Sequence, residues 1–183
     1  MNRRVLLVLF LAACVAQWVA ATWKIAEREL ILRLGHVYKF KTAPMDPVDA
    51  FRGRYVAVRV EQNTAPFEGP WTRKQGGWFF AELAVGEDGF ARFVRLHRRP
   101  PAGAPAIRTR IASFNVQEQK AWLNLPLDRF YMSERQAPEA ERAYREHSRQ
   151  DAQDAWLAVR VWRGRAAIEN LYIGDRPILD VVR

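Results

Sequence analysis

Gly77–His97, G-W-F-F-A-E-L-A-V-G-E-D-G-F-A-R-F-V-R-L-H, decides the fold of this chain. Two apolar-rich runs, Gly77–Val85 and Phe90–His97, flank G-E-D-G at 86–89. An Asp-Gly pair supplies the positive φ angles that a tight turn between antiparallel strands needs. The stretch reads as a β-hairpin, and related patterns lie on both sides of it. His36–Lys41, H-V-Y-K-F-K, alternates apolar and polar side chains like a strand. Arg54–Glu61 alternates strictly, with Val56, Val58 and Val60 on one face and Tyr55, Ala57, Arg59 and Glu61 on the other. That is the mark of a half-buried antiparallel strand. Ile107–Phe114 alternates again, and Ala121–Leu127 is a further short strand. Ala155–Trp162 and Ala166–Ile173 form a second hairpin across Arg163-Gly164-Arg165, and Gly174-Asp175-Arg176-Pro177 turns into a last strand, Ile178–Val182.

Between these runs, Asn63–Gln75 and Arg98–Pro105 read as loops from their Pro and Gly content, with Phe67 and Trp71 as anchors of the first. Pro138–Asp154 opens with proline and acids and is rich in helix formers, so a helix is expected there. Its apolar face (Ala140, Ala143, Tyr144) is thin, which places it on the surface. The expected fold is mainly β, an antiparallel barrel or sandwich-like domain over residues 35–183 carrying one surface helix.

An apolar segment precedes that domain. Arg3 and Arg4 stand before Val5–Thr22, whose only strongly polar side chain is Gln17. As a helix, roughly 18–20 residues at 1.5 Å each match a hydrocarbon core of about 30 Å. Trp18 and Trp23 fall at its far end, where indole rings prefer the headgroup layer. Residues 1–23 read as a transmembrane signal anchor, and 24–34 as a juxtamembrane helical extension that Gly35 ends. Membrane lipid is therefore an expected partner. A cleaved signal would need polar residues after a small-x-small site, and the Ala-rich end supplies only the first half. Leu11-Ala12-Ala13-Cys14 also fits a bacterial lipoprotein box, so lipidation at Cys14 is the alternative tether. Arg3 and Arg4 favour an inward N-terminus, although Lys24, Arg28 and Arg33 weaken the bias. The expected location is the inner (cytoplasmic) membrane, single-pass, with the domain on the periplasmic or outer face.

The formal charge of +9 comes mainly from arginine, since lysine occurs only at 24, 39, 41, 74 and 120. Acids are scattered among the bases and no basic run exceeds two residues, so a nucleic-acid partner is not expected. A basic face near anionic headgroups is the natural use of such a charge. Cys14 is the only cysteine, so the domain has no disulfide. His36, His97 and His147 lie far apart in sequence, and Ser113, Ser133 and Ser148 lack nucleophile-elbow glycines. No glycine-rich phosphate loop precedes a helix, so neither a metal nor a cofactor is expected.

The tightest writing in the chain is Thr42–Val60, T-A-P-M-D-P-V-D-A-F-R-G-R-Y-V-A-V-R-V. Asp46 and Asp49 are paired carboxylates in a proline turn. Capping that turn is the plain reading, and acid–base work with Glu134 in a peptide or glycan hydrolase is the alternative. Pro44-Met45-Asp46-Pro47 followed by Gly53 resembles the Ser-Met-x-Pro to Gly-Asp stretch of signal peptidases. Pro44 stands where that nucleophilic serine would be, which implies at most a catalytically dead relative of such folds.

A wider resemblance runs from Glu29 to Val60, which looks like the bacterial GDYXXLXY family with its P-x-D-P-x-D-x-F-R-G loop. Arg129-Phe130-Tyr131 with Glu134 resembles that family's R-Y-Y-x-x-E segment, and Gly164–Gly174 its terminal hairpin. The naming motif itself departs, with Arg54, Val58 and Val60 in place of Asp, Leu and the final Tyr. The resemblance implies an N-terminal membrane helix, no established catalytic activity and a membrane-protein partner. The function expected is that of a non-enzymatic accessory or binding domain acting with a membrane protein or envelope component. Its contact surface would hold Asp46, Asp49, Arg52, Arg54, Tyr55, Arg129, Tyr131 and Glu134. In the alternative reading, Arg52 and Arg129 merely pair with the acids to brace the loop. The oligomeric state stays open.

Overall fold

In a computed structural model, residues 2–43, 55–67, 77–148 and 154–182 are described. The decisive hairpin forms as read. Strand β4 (Phe79–Val85) pairs with β5 (Ala91–His97), and Gly89 takes φ 76° in the turn. Asp88 sits at the tip, where the Phe90 N–H donates to its carboxylate at 3.2 Å. That bond, with help from Lys41 and Arg92, holds the Asp88 carboxyl below its ordinary range.

Strand β6 (Ala106–Asn115) lies on the other side of β4 and carries β7 (Lys120–Asn124), which in turn pairs with β3 (Thr64–Pro66). The resulting five-stranded sheet has the order β3-β7-β6-β4-β5. A four-stranded sheet, β1-β9-β10-β11, is built from His36–Lys41, Ala155–Trp162, Arg165–Ile173 and Arg176–Pro177. A two-stranded ribbon joins β2 (Tyr55–Ala57) to β8 (Arg129–Tyr131). Single bridges at Lys39–Phe90 and Thr42–Val60, with the Arg108 N–H donating to Gly164 O at 2.7 Å, tie these pieces together. The whole is a nearly closed, mainly antiparallel β-barrel sheet. Its interior holds Phe40 stacked on Phe93 at 5.6 Å, and Phe67 meeting Phe79 edge-on at 5.6 Å. Val56, Val58, Ile107, Leu157 and Leu171 are buried beside them, each such side chain contributing about 1.5–3 kcal/mol on removal from water.

The long helix α1 (Arg3–Leu34) covers the whole apolar run and its extension, and is long and apolar enough to cross a membrane. Its last turns are seated on the four-stranded sheet rather than standing free. Ile31 is buried, Arg165 donates to Glu27, and Arg160 donates to Gly35 O at 3.0 Å and to Glu169 at 2.7 Å. Gly35 permits this approach. A Cβ there would meet Ile31 O at 2.5 Å and the Val161 nitrogen at 3.1 Å.

Several elements differ from expectation. Ile178–Val182 is not a strand; Ile178–Val181 forms one helical turn, α3. Strand geometry would align Ile178, Asp180 and Val182 on one face and drag the acid inward. The turn instead buries Ile178 and Val182, four apart, and leaves Asp180 outside. The expected loop after Asn63 contains β3, whose Ala65 is fully buried, and Phe67 is anchored as read; Trp71 lies outside the described residues. The Arg54–Glu61 strand is regular only over Tyr55–Ala57, although Val58 and Val60 keep the alternation and are buried. Helix α2 (Ala137–His147) is shorter than expected, and its face of Ala137, Ala140 and Tyr144 is buried.

Candidate functional site

The outward face of the β2–β8 ribbon holds three of the residues singled out from sequence. Alternation in β8 buries Phe130 and turns Arg129 and Tyr131 outward. Tyr131 stands opposite Tyr55 in the ladder, their rings 5.9 Å apart at 61°, and the Arg129 guanidinium lies over the Tyr55 ring at 5.2 Å. Arg129 also pairs with Asp128 at 3.3 Å. Its hydrogen bond with Tyr131, helped by the Asp128 carboxylate, raises the guanidinium pKa further, so it stays a fixed cation. Tyr131 is 55% exposed, unusual for so large a ring.

This patch opens on a groove of about 470 Å³ between α1 and the sheet, lined by Lys24, Arg28, Asp128, Arg129, Tyr131 and Ala167 among others. The groove is wide and mixed in polarity. Glu134 is exposed in the turn that leads into α2. Asp46, Asp49, Arg52 and Arg54 lie outside the described residues. Cys14 sits within the apolar part of α1.

Sequence reasoning missed the residue that holds the two ends of the proline-aspartate segment. Tyr144, on the buried face of α2, donates its hydroxyl hydrogen to Ala43 O at 3.0 Å and accepts from the Arg59 N–H at 3.4 Å. The Ala43 N–H meets Arg59 O at 2.9 Å, and Thr42 Oγ1 donates to Ala155 O at 2.8 Å. Burial raises the Tyr144 hydroxyl pKa above the ordinary phenol range, with Thr42 and the Arg59 amide pulling it back. The only signal available was its position on the helix's apolar stripe.

The chemistry on offer among the described residues is modest. No group of three or more His, Cys, Asp or Glu gathers as a metal site. His97 meets Glu82 at 2.5 Å and His147 meets Asp154 at 2.9 Å, each as a pair. Ser148 follows His147 in sequence, but its hydroxyl is buried and bonds to no described group. A nucleophile needs a base in hydrogen-bond contact, and among the described residues none bonds to this serine. What the ribbon does present is a fixed cation and two phenols in edge-on contact, the side chains that recur at protein interfaces.

No curated protein and no solved structure matches the chain. The family model described as GDYXXLXY protein matches residues 17–171, which takes in the last turns of α1, the β2–β8 ribbon and most of the terminal hairpin. The chain belongs to that family.

Proposed function

We propose that this GDYXXLXY protein is a membrane-anchored, non-enzymatic accessory domain that binds a membrane protein or envelope component beside its own helix. In this reading α1 crosses the inner membrane once and the barrel stands on the periplasmic or outer face, one turn or two above the lipid. The residues proposed for contact are Tyr55, Arg129 and Tyr131 of the ribbon face, together with Asp46, Asp49, Arg52, Arg54 and Glu134 as the sequence offers them.

The observation that carries the reading is the position of the exposed Arg129–Tyr131 patch. It opens onto a groove whose other wall is Lys24 and Arg28 of α1. Those two residues follow the apolar run by only a few positions, so a partner spanning the same bilayer would meet the patch without leaving the membrane surface. A guanidinium stacked on a phenol is already ordered, so less side-chain entropy is lost when a partner closes over it. The test is purification of the full chain from its native membrane in mild detergent, beside Arg129→Ala and Tyr131→Ala. A partner enriched with the wild type and depleted at least about tenfold by either change is the expected result, since a central Arg or Tyr contact is worth about 2 kcal/mol. A chain that emerges alone, or a partner indifferent to both changes, would overturn it.

A further inference from the structure

A second surface lies along a neighbouring stripe of α1. The helix touches the barrel along Glu27 and Ile31, and the face bearing Trp23, Ala26 and Leu30 closes a pocket of about 360 Å³ with Trp162, Arg163 and Arg165. Those three come from the turn of the β9–β10 hairpin, where Arg163 takes φ 48° and lays its guanidinium over the Trp162 ring at 4.8 Å. The hairpin turn is joined to β6 by the Arg108 N–H bond to Gly164 O. Beyond it stands Trp78, 45% exposed, with Arg108 and Arg110 over its ring at 4.1 and 4.4 Å.

We propose that this Trp–Arg rim, centred on the β9–β10 turn and continued by Trp78, Arg108 and Arg110, docks the barrel onto the surface of a bilayer containing anionic phospholipid. The inference rests on the anchored reading above and adds an orientation to it. Height along the helix supports the placement. Glu27 lies five residues beyond Thr22, about 7–8 Å at 1.5 Å per residue, and the headgroup layer on each side of a bilayer is roughly 5–8 Å thick. The ion pair between Glu27 and Arg165 therefore sits at the top of that layer, and the pocket shared by Trp23 and Trp162 sits within it. Indole rings prefer this depth, and guanidinium groups hold phosphates through paired N–H donors. The nearby acids are already engaged: Glu27 with Arg165 and Lys24, and Glu169 with Arg160. A rim of arginines with spoken-for carboxylates suits phosphate better than a basic or neutral protein face.

The test uses the full chain in nanodiscs of phosphatidylcholine alone or with about one-third phosphatidylglycerol. Amide hydrogen exchange is read over the β9–β10 turn and over Arg108–Arg110. The expected result is slowing of at least about fivefold in the anionic discs, relieved by about 0.5 M salt. The pair Arg110→Glu and Arg163→Glu should abolish the slowing while exchange in the β3–β7 ladder stays as in the wild type. The salt titration reads the wild type alone and stands even if that variant does not fold. Equal exchange in the two lipids, or slowing that follows the number of chains per disc rather than the lipid, would overturn the docking. Loss of the chain from both kinds of disc would overturn the anchored reading and the docking together.

Discussion

Two residues, Gly35 and Tyr144, hold contacts that no neighbour could make in their place. Gly35 has an ordinary φ of −74°, so its requirement is room, not backbone freedom. Gly35→Ala forces a Cβ onto Ile31 O and should destabilise the domain by about 1–3 kcal/mol, read as a lower unfolding midpoint in denaturant. Gly77→Ala is the matched control, since its Cβ would meet only the tip of Arg98 at 3.6 Å. Tyr144 makes a pH-dependent contribution. Its folded pKa is raised above the unfolded value of 10.0, so the folded state binds that proton more tightly. The stabilisation is complete below the unfolded value and is lost as pH rises through the folded one. Tyr144→Phe should cost about 1 kcal/mol at neutral pH through the two lost hydrogen bonds. It should also flatten the alkaline fall of the unfolding midpoint relative to wild type above pH 10.

At the scale of elements, what could be read in advance follows the distance between partners. The β4–β5 and β9–β10 hairpins are legible because their turns, Asp88-Gly89 and Arg163-Gly164, sit between the strands they join. Strands β3 and β8 are three residues each, and their partners β7 and β2 lie far off in sequence, so nothing local announces them. The candidate site divides in the same way. Only the family pattern links Arg129 and Tyr131 with Tyr55, and the Tyr144 bonds span 85 and 101 residues, beyond any periodicity argument. Element α3 differs from the expected strand because Ile178, Val181 and Val182 suit either period. Its role gives a direct check. Ile178→Ala opens a cavity under α3, where the turn packs against α2 and β10, and should cost about 2–5 kcal/mol in denaturant unfolding. Leu179→Ala, at a 40% exposed position, should cost well under half of that.

For the whole molecule, the boundary between helix and barrel has a thermodynamic answer. If the barrel were complete from Gly35 onward, the last three turns of α1 would be a passive stalk. Ile31 is instead buried against the sheet, Glu27 takes Arg165, and the C-terminal end of the helix receives the Arg160 guanidinium through Gly35 O. A fragment beginning at Lys24 keeps all three contacts and sheds the apolar run. One beginning at His36 loses the burial of Ile31, about 1.5–3 kcal/mol, and leaves Arg160 without its carbonyl acceptor. Paired denaturant titrations of the two fragments should therefore place the longer one higher by about 3–6 kcal/mol, summing the burial and one charge-assisted hydrogen bond. Equal midpoints would mean that the seat between helix and sheet contributes nothing, and the barrel would then be free to swing on its anchor. A gap of the expected size makes α1 and the barrel one rigid body, so that the helix's tilt in the bilayer sets where the Arg129–Tyr131 patch and the Trp–Arg rim can reach.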